Sequence, residues 1–359
     1  MTATTGPPRP AGNRAPAPVL PPTMQAIVQT GYGSADVLHL QQADLPTIGD
    51  DEVLLRVHAA GIDRGAWHFM TGEPYAIRLA AGLRGPKNPV LGLDVAGTVV
   101  AVGPAVTRLA AGDEVFGIGR GSFAEYAAAV ADKLARKPRR LSFAQAAAVP
   151  VSGLTALQAL RTAHAGPGQH VLVVGASGGV GTFAVQIAHA LGAEVTAVAS
   201  TTKLDLVRSI GADHAVDYTL EDFAAGPGRY DVILDIGGNA PLSRLRRALT
   251  RNGTLVIVGG EGAGRWTGVR RQVRALSLSP FLRQRLTTFI ATHRQDDIQR
   301  LAELVEAGEL TPVIDSVVPL AGAADGMRRL EAGQVRGKLV LSVADPAAEI
   351  DRRGVPDTA

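Results

Sequence analysis

The residues with the clearest chemistry lie at Gly175-Ala176-Ser177-Gly178-Gly179-Val180-Gly181, directly after the apolar run Val171 to Val174. Within this stretch, Ala176-x-Gly178-x-x-Gly181 has the spacing of a dinucleotide loop, with alanine at its first position. A turn without Cβ atoms lets the backbone approach a pyrophosphate, whose charge is met by the N–H groups and positive end of a following helix. Phe183, Val185, Ile187 and Ala188 supply the apolar face of that helix. The spacing alone is a weak signal; its place between a buried strand and a long helix makes it specific. The next strand, Glu194 to Ala199, ends on Ser200, Thr201, Thr202 and Lys203. An NAD site places a carboxylate there for the two ribose hydroxyls, and the sequence has no acid at that point. Two hydroxyls and an ammonium can instead bind a 2′-phosphate, so the expected cofactor is NADPH. The plainer alternative is that Lys203 only opens a solvated helix.

Other chemistry is sparse. The chain has no cysteine, which removes disulfides, thiolate zinc sites, iron–sulfur clusters and cysteine nucleophiles together. No Ser/His/Asp or paired-carboxylate arrangement can be defended, and hydride transfer needs none, because the cofactor carries the chemistry. His68 is the one candidate for protonating an enolate or quinol oxyanion, against the alternative of a structural loop histidine. Trp67 and Tyr75 offer a flat apolar wall to a planar substrate, with core packing as the equal alternative. The formal net charge of +3 makes no case for nucleic acid. The expected partner is a small-molecule substrate.

The elements that must position these residues divide a chain of 359 residues into two units. From Met24 to Val149, short β-branched runs separated by Gly and Pro (Gln25–Gln29, Val53–Ala59, Asp94–Val102, Glu114–Phe116, Glu125–Ala129) predict a β-rich domain. Ser142 can cap a helix through Phe143, and another runs from Leu154 to Ala163 after Pro150. From 150 to 311, continuous apolar strands alternate with helices, which predicts a doubly wound parallel α/β domain. The segment from about 312 to 343 returns to complete the first domain. Residues 1–23, rich in Pro, Ala and Gly, and residues 344–359 read as tails. The longest charge-free stretch, His170 to Ala193, is broken by glycines into strand, turn and helix, so no membrane span is needed. A cytoplasmic homodimer is the expected setting. Residues 262–294 read as a basic and apolar insert, either a lid or dimer face or, less favoured, a contact with an acidic membrane.

Taken together, several stretches resemble the medium-chain dehydrogenase/reductase superfamily in its zinc-independent quinone oxidoreductase branch. They are Gly92-Leu93-Asp94-Val95-Ala96-Gly97, Gly112-Asp113-Glu114-Val115-Phe116-Gly117, Ala146 to Leu157, the glycine loop, Leu206 to Asp213 and Arg336-Gly337-Lys338-Leu339-Val340. The resemblance spans Met24 to Val343. It implies a GroES-like first domain, a Rossmann second domain and a cofactor in the cleft between them. Zinc-dependent members hold their metal at positions that are Asp63, Leu93 and about Val151 here, and neither Leu nor Val can ligate. The acceptor should therefore be electrophilic already, a quinone or an α,β-unsaturated carbonyl. Alternatives are a carbonyl or enoyl-thioester reductase, or a protein that binds NADPH without turnover.

Carried over residue by residue, the resemblance sets Ser177, Gly178, Gly179 and Val180 on the pyrophosphate, and Thr155 lies in one of the matching stretches near the cofactor. Ser200, Thr201 and Lys203 would face the 2′-phosphate with Tyr218 alongside, although a strand-end aromatic is as readily core. Gly237, Gly238 and Asn239 would approach the adenosine ribose, Val258, Gly259 and Gly260 the nicotinamide, and Lys338 the cleft. Where relatives read Asn, then Pro, then an acid before the Trp, this chain has Asp63, Arg64 and Ala66. The implied substrate pocket comprises Asp63, Trp67, His68 and Tyr75.

Overall fold

The computed structural model describes residues 20–225, 228–238, 240–259 and 270–343. In the first domain the strands are β1 (Thr23–Gln29), β2 (Leu38–Asp44), β3 (Glu52–Ile62), β4 (Asp94–Val102), β5 (Glu114–Ile118), β6 (Tyr126–Val130) and β7 (Leu134–Arg136). Its helices are α1 (Arg64–Thr71), α2 (Arg78–Ala81) and α3 (Phe143–Ala147). Helix α4 (Pro150–Ala163) crosses into the second domain, where β8 (His170–Val174), α5 (Gly179–Ala190), β9 (Glu194–Ala199), α6 (Leu204–Ser209) and β10 (His214–Asp217) follow in alternation. Then come β11 (Tyr230–Asp235), α7 (Leu242–Ala248), β12 (Leu249–Ile257), α8 (Arg270–Leu278), β13 (Arg285–Thr288) and α9 (Gln295–Glu306). The chain returns through β14 (Ile314–Pro319), α10 (Ala323–Glu331) and β15 (Lys338–Ser342).

The second-domain sheet is parallel, in the order β10-β9-β8-β11-β12-β13. This is two mononucleotide-binding halves meeting between β8 and β11, and the crevice at that switch point is where such sheets bind ligands. Val171, Leu172 and Val173 of β8 and Val232, Ile233 and Leu234 of β11 are fully or almost fully buried. Strands covered on both faces must be apolar throughout. Phe183, Val185 and Ile187 carry α5 onto the sheet, in one core with Leu154 and Leu160 of α4.

A second, seven-stranded sheet runs β14-β15-β3-β4-β5-β7, and β6 also pairs with β3. The two C-terminal strands thus join the first domain, β15 lying antiparallel to β3 with Leu339 opposite Ile62. Ser142 caps α3 through a reciprocal box with Gln145. Pro150 starts α4 itself, four residues before the expected Leu154, because its missing N–H costs nothing at the first helical position.

Two expectations change. The segment after Gly61 is not a loop: Asp63 accepts the Ala66 N–H at 2.9 Å and caps α1, which Gly72 ends in the left-handed region at φ 62°. The described part of the 262–294 segment is built into the second domain, while its Phe281 and Ile290 stay exposed. Ala275 of α8 and Leu286 of β13 are buried in the second-domain core, and β13 supplies the sheet's sixth strand.

Candidate active site

The glycine loop sits at the end of β8, at the switch point. Gly175 takes φ 88°, and a Cβ on it would lie 2.9 Å from the Gly237 nitrogen in the turn after β11. At Gly181 a Cβ would stand 2.2 Å from the Gly175 oxygen, so only glycine lets α5 approach the strand this closely. Gly178 is the N-cap of α5 and offers no side-chain cap. The first-turn N–H groups of Gly179 and Val180 therefore point out of a helix of 12 residues with no side-chain acceptor. A Cβ on Gly178 would meet only the Gly175 oxygen, at 3.6 Å, so the space beside that residue is open. Open space and uncapped donors suit a pyrophosphate.

The C-terminal strand reaches this loop from the other domain. Gly337 N–H donates to the Ser177 oxygen at 2.9 Å, and Gly337 bridges to Gly178 in parallel. Lys338 follows, its stem close enough to Gly179 that a Cβ there would be 3.1 Å from Lys338 Cδ. Its charge does not face a ligand, contrary to the expectation for this residue: Nζ donates to Asp94 Oδ2 at 2.9 Å, and both side chains are buried. Asp94 Oδ1 also accepts the Val151 N–H at 2.7 Å, so one carboxylate ties β4, β15 and the start of α4 together. The carboxylate lies over Gly61, where a Cβ would be 2.6 Å from Oδ2. Burial pushes the Asp94 carboxyl up to about 7, against the pull of Lys338 and with a further push from Asp63.

At the adenosine end the site is more crowded than the sequence suggests. Thr201 donates its hydroxyl to Asp217, whose other oxygen accepts from the Thr219 hydroxyl at 2.6 Å and the Thr219 N–H at 2.9 Å. Those bonds hold the Asp217 carboxyl below its usual range. An acid is thus present after all, carried in by β10 rather than β9, and the Thr201 hydroxyl proton is committed to it. Ser200 is half-buried beside it. Lys203 Nζ donates to the Val335 oxygen at 3.0 Å and the Gly333 oxygen at 3.3 Å, both in the turn before β15. Burial and the neighbouring Arg336 guanidinium lower its pKa. Tyr218 is 57% exposed, which settles its alternatives against the core.

In the turn expected to approach the nicotinamide, Gly259 N–H donates to the Asp235 oxygen at 3.2 Å, and Val258 is half-buried beside it. Gly238 takes φ 71° and its oxygen accepts from Arg271 of α8 at 2.7 Å. Arg271 also reaches the Ala240 oxygen at 2.8 Å and pairs with the buried Asp235. Asn239 and Gly260 lie outside the described residues. Thr155 spends its hydroxyl on the Val151 oxygen at 2.7 Å, one helical turn back.

Of the four expected pocket residues, Trp67 and His68 meet edge-on with ring centroids 5.1 Å apart, and none of the four lines the cavity beside Phe69. Asp63 is buried, with Oδ1 capping α1 and Oδ2 without a hydrogen-bond partner among the described residues. Trp67 packs on the first-domain core with Arg64 5.3 Å from its ring centroid. Tyr75 lies against Arg78, whose other face meets Tyr32. His68 Nδ1 is 2.6 Å from the Glu73 oxygen, and since a carbonyl only accepts, the ring proton sits on Nδ1. A cavity of about 240 Å³ lies instead among Gln29, Phe69, Leu91, Leu93 and Arg120, with Asp63 behind Leu93. Phe69 and Leu93 had only their apolar character to mark them, which any core residue shares. Asp94 did carry a signal: a lone acid opening an apolar strand needs a buried partner.

The chain matches a family model for zinc-binding dehydrogenases over residues 210–341 and one for alcohol dehydrogenase GroES-like domains over residues 49–139. It is similar to a 2-methylene-furan-3-one reductase of Solanum lycopersicum and to a chloroplastic NADPH-dependent alkenal/one oxidoreductase of Arabidopsis thaliana. Each is 35% identical over 337 residues, covering 90% of this chain and 80% of the relative. The solved quinone oxidoreductase of Coxiella burnetii superposes with a TM-score of 0.78 at 31% identity, over 90% of this chain and all of that one. With two sheets joined through Gly337 and Lys338, a nicotinamide-cofactor loop at the switch point and leucine where a metal ligand would stand, the chain belongs to the medium-chain dehydrogenase/reductase superfamily, in its zinc-independent quinone oxidoreductase branch.

Proposed function

We propose that this chain transfers a hydride from NADPH to a quinone or an α,β-unsaturated carbonyl, with no metal ion taking part. The observation that carries this reading is the phosphate loop, where the uncapped N-terminus of α5 opens on free space beside Gly178, in a chain whose Leu93 and Val151 carry no side-chain donor atom for a metal. NADPH bound there supplies the hydride. The loop and α5 would hold the pyrophosphate, the Gly259 turn would bring backbone to the nicotinamide, and Phe69, Leu91 and Leu93 would offer a planar acceptor an apolar wall. Without a Lewis acid, the acceptor must bring its own electrophilic carbon. Relatives named for alkenal/one and furanone reduction support that substrate class.

One assay tests the reading. The protein is mixed with NADPH and a panel of quinones, enals, enones, enoyl thioesters and simple ketones, and loss of nicotinamide absorbance is followed. Turnover is expected on quinones or enones, to survive exhaustive chelation, and to be supported by NADH only at concentrations at least about tenfold higher. Turnover confined to ketones or thioesters would replace this reading, and tight NADPH binding with no turnover would make the chain a binding protein.

Replacing His68 by Ala should lower kcat by less than about threefold. The Nδ1 proton of His68 is committed to the Glu73 oxygen and is not directed at an acceptor. Solvent is then the acid, so deuterated NADPH should label only the β-carbon of an enone product. A loss of about tenfold or more at unchanged NADPH affinity would restore His68 as the donor, since a positioned general acid contributes on the order of 10²-fold.

A further inference from the structure

Among the described residues that line the cavity beside Phe69, Gln29 is the one polar side chain that is buried, at 3% exposure. It closes β1, and its backbone N–H donates to the Pro89 oxygen at 2.8 Å. Its side-chain Nε2 donates to the Phe69 oxygen at 3.4 Å. A carbonyl only accepts, so the amide turns its nitrogen to Phe69 and leaves Oε1 over. That oxygen is buried and has no hydrogen-bond partner among the described residues. Phe69, Val90, Leu91 and Leu93, which share the wall with it, have side chains without a donor. An acceptor left unpaired in such surroundings is destabilising, and a donor brought in by a ligand removes the penalty.

Charge narrows what that donor is. The ionisable residues of the wall are Lys87 and Arg120, both exposed. Glu52 pairs with Arg120 at 3.2 Å, whereas no carboxylate meets Lys87 among the described residues. A cationic ligand would be repelled by that ammonium, so the donor that suits Oε1 is neutral. We propose that Gln29 sets the specificity of the acceptor site: Oε1 accepts a hydrogen bond from a hydroxyl on the acceptor's apolar body, and the protein selects hydroxylated quinones and enones over their unsubstituted counterparts. This rests on the reading of the chain as a hydride-transferring reductase whose acceptor lies against Phe69, Leu91 and Leu93. A site with a buried acceptor for a substrate hydroxyl discriminates against the analogue that lacks it, because the analogue leaves the polar atom unpaired.

Three enones of one shape test the assignment. Benzylideneacetone, its para-hydroxy derivative and its para-methoxy derivative are compared as acceptors with NADPH. The methoxy group releases electrons to the ring as the hydroxyl does but cannot donate a hydrogen bond. The unaltered protein should show a kcat/KM for the hydroxy compound at least about tenfold above those of the other two. In Gln29→Met, of similar length and without an oxygen, the ratio of hydroxy to unsubstituted compound should fall to within about twofold of one, whatever the variant does to the absolute rates. The comparison on the unaltered protein needs no variant to fold. Reduction of the enones with no preference for the hydroxy compound, or with a preference that survives Gln29→Met, overturns the Gln29 assignment and leaves the hydride reading standing. Binding of the saturated ketones, benzylacetone and its para-hydroxy derivative, is measured alongside by calorimetry in the presence of oxidised cofactor. If no enone is reduced and the hydroxy ketone still binds about tenfold more tightly in a Gln29-dependent way, the hydride reading falls and the Gln29 site stands. Equal binding of the two ketones with no reduction overturns both.

Discussion

Replacing Lys338 by Met should destabilise the protein by about 3–5 kcal/mol, because it leaves Asp94 buried with its counter-charge removed. The thermal midpoint should fall by roughly ten degrees. The deficit should depend on pH, and its sign follows from the direction of the shift. Burial raises the Asp94 carboxyl from 3.8 to about 7 even with Lys338 in place, so the folded chain holds this proton more tightly than the unfolded one. Stability drawn from this group therefore falls as pH rises from about 4 through 7. Removing the ammonium raises the folded pKa further and extends the loss to higher pH, so the variant's deficit should be smallest near pH 5 and grow above 7. Adding Asp94→Asn should return much of the stability, since the amide oxygen can still accept the Val151 N–H without a charge. A single variant whose midpoint matches the unaltered protein at both pH values would refute the buried pair as a structural tie.

The second large effect separates the fold of the phosphate loop from its function. Gly181→Ala drives a Cβ to 2.2 Å from the Gly175 oxygen and 2.7 Å from the Ala176 carbonyl carbon, both backbone atoms that cannot rotate away. The loop must move, and a displacement of about 1 Å at such a site costs on the order of 10²-fold in binding. Gly178→Ala meets only ordinary contact at 3.6 Å, and its φ of −86° suits any residue. That variant should melt within about two degrees of the unaltered protein and still bind the cofactor at least about tenfold more weakly, because its methyl occupies the space proposed for the pyrophosphate. Fluorescence titration with NADPH beside a melting curve checks both. Normal cofactor affinity in Gly178→Ala would mean that the pyrophosphate is not held there.

These two sites also mark how far local sequence information reaches. The glycine loop was legible because its signal is contiguous: an apolar strand, a turn that only glycines can make and an apolar helix all fall between Val171 and Ala190. Helix α1 is written just as locally, with Asp63 as N-cap, Gly72 after its end and Ala66 and Met70 buried one turn apart. Strand β13 and helix α8 were obscured by six arginines between 270 and 294. Buried Ala275 and Leu286, together with the ion pair that takes Arg271 to Asp235, are what give the segment its fold.

The sequence by itself determined the fold class, the glycine loop that follows β8 and the Leu93 and Val151 side chains that cannot ligate a metal, because periodicity, glycine geometry and side-chain chemistry are properties of neighbouring residues or of single ones. Tertiary structure decided where the charges go. Lys338 meets Asp94 across 244 residues, and Lys203 meets Val335 across 132. Thr201 donates its hydroxyl to an acid from the next strand. Trp67 and His68 meet edge-on, His68 reaches Glu73 and Tyr75 lies against Arg78, and none of them lines the cavity beside Phe69. A charged side chain is satisfied by whatever the fold brings within about 3 Å of it, and nothing in its local sequence names that partner.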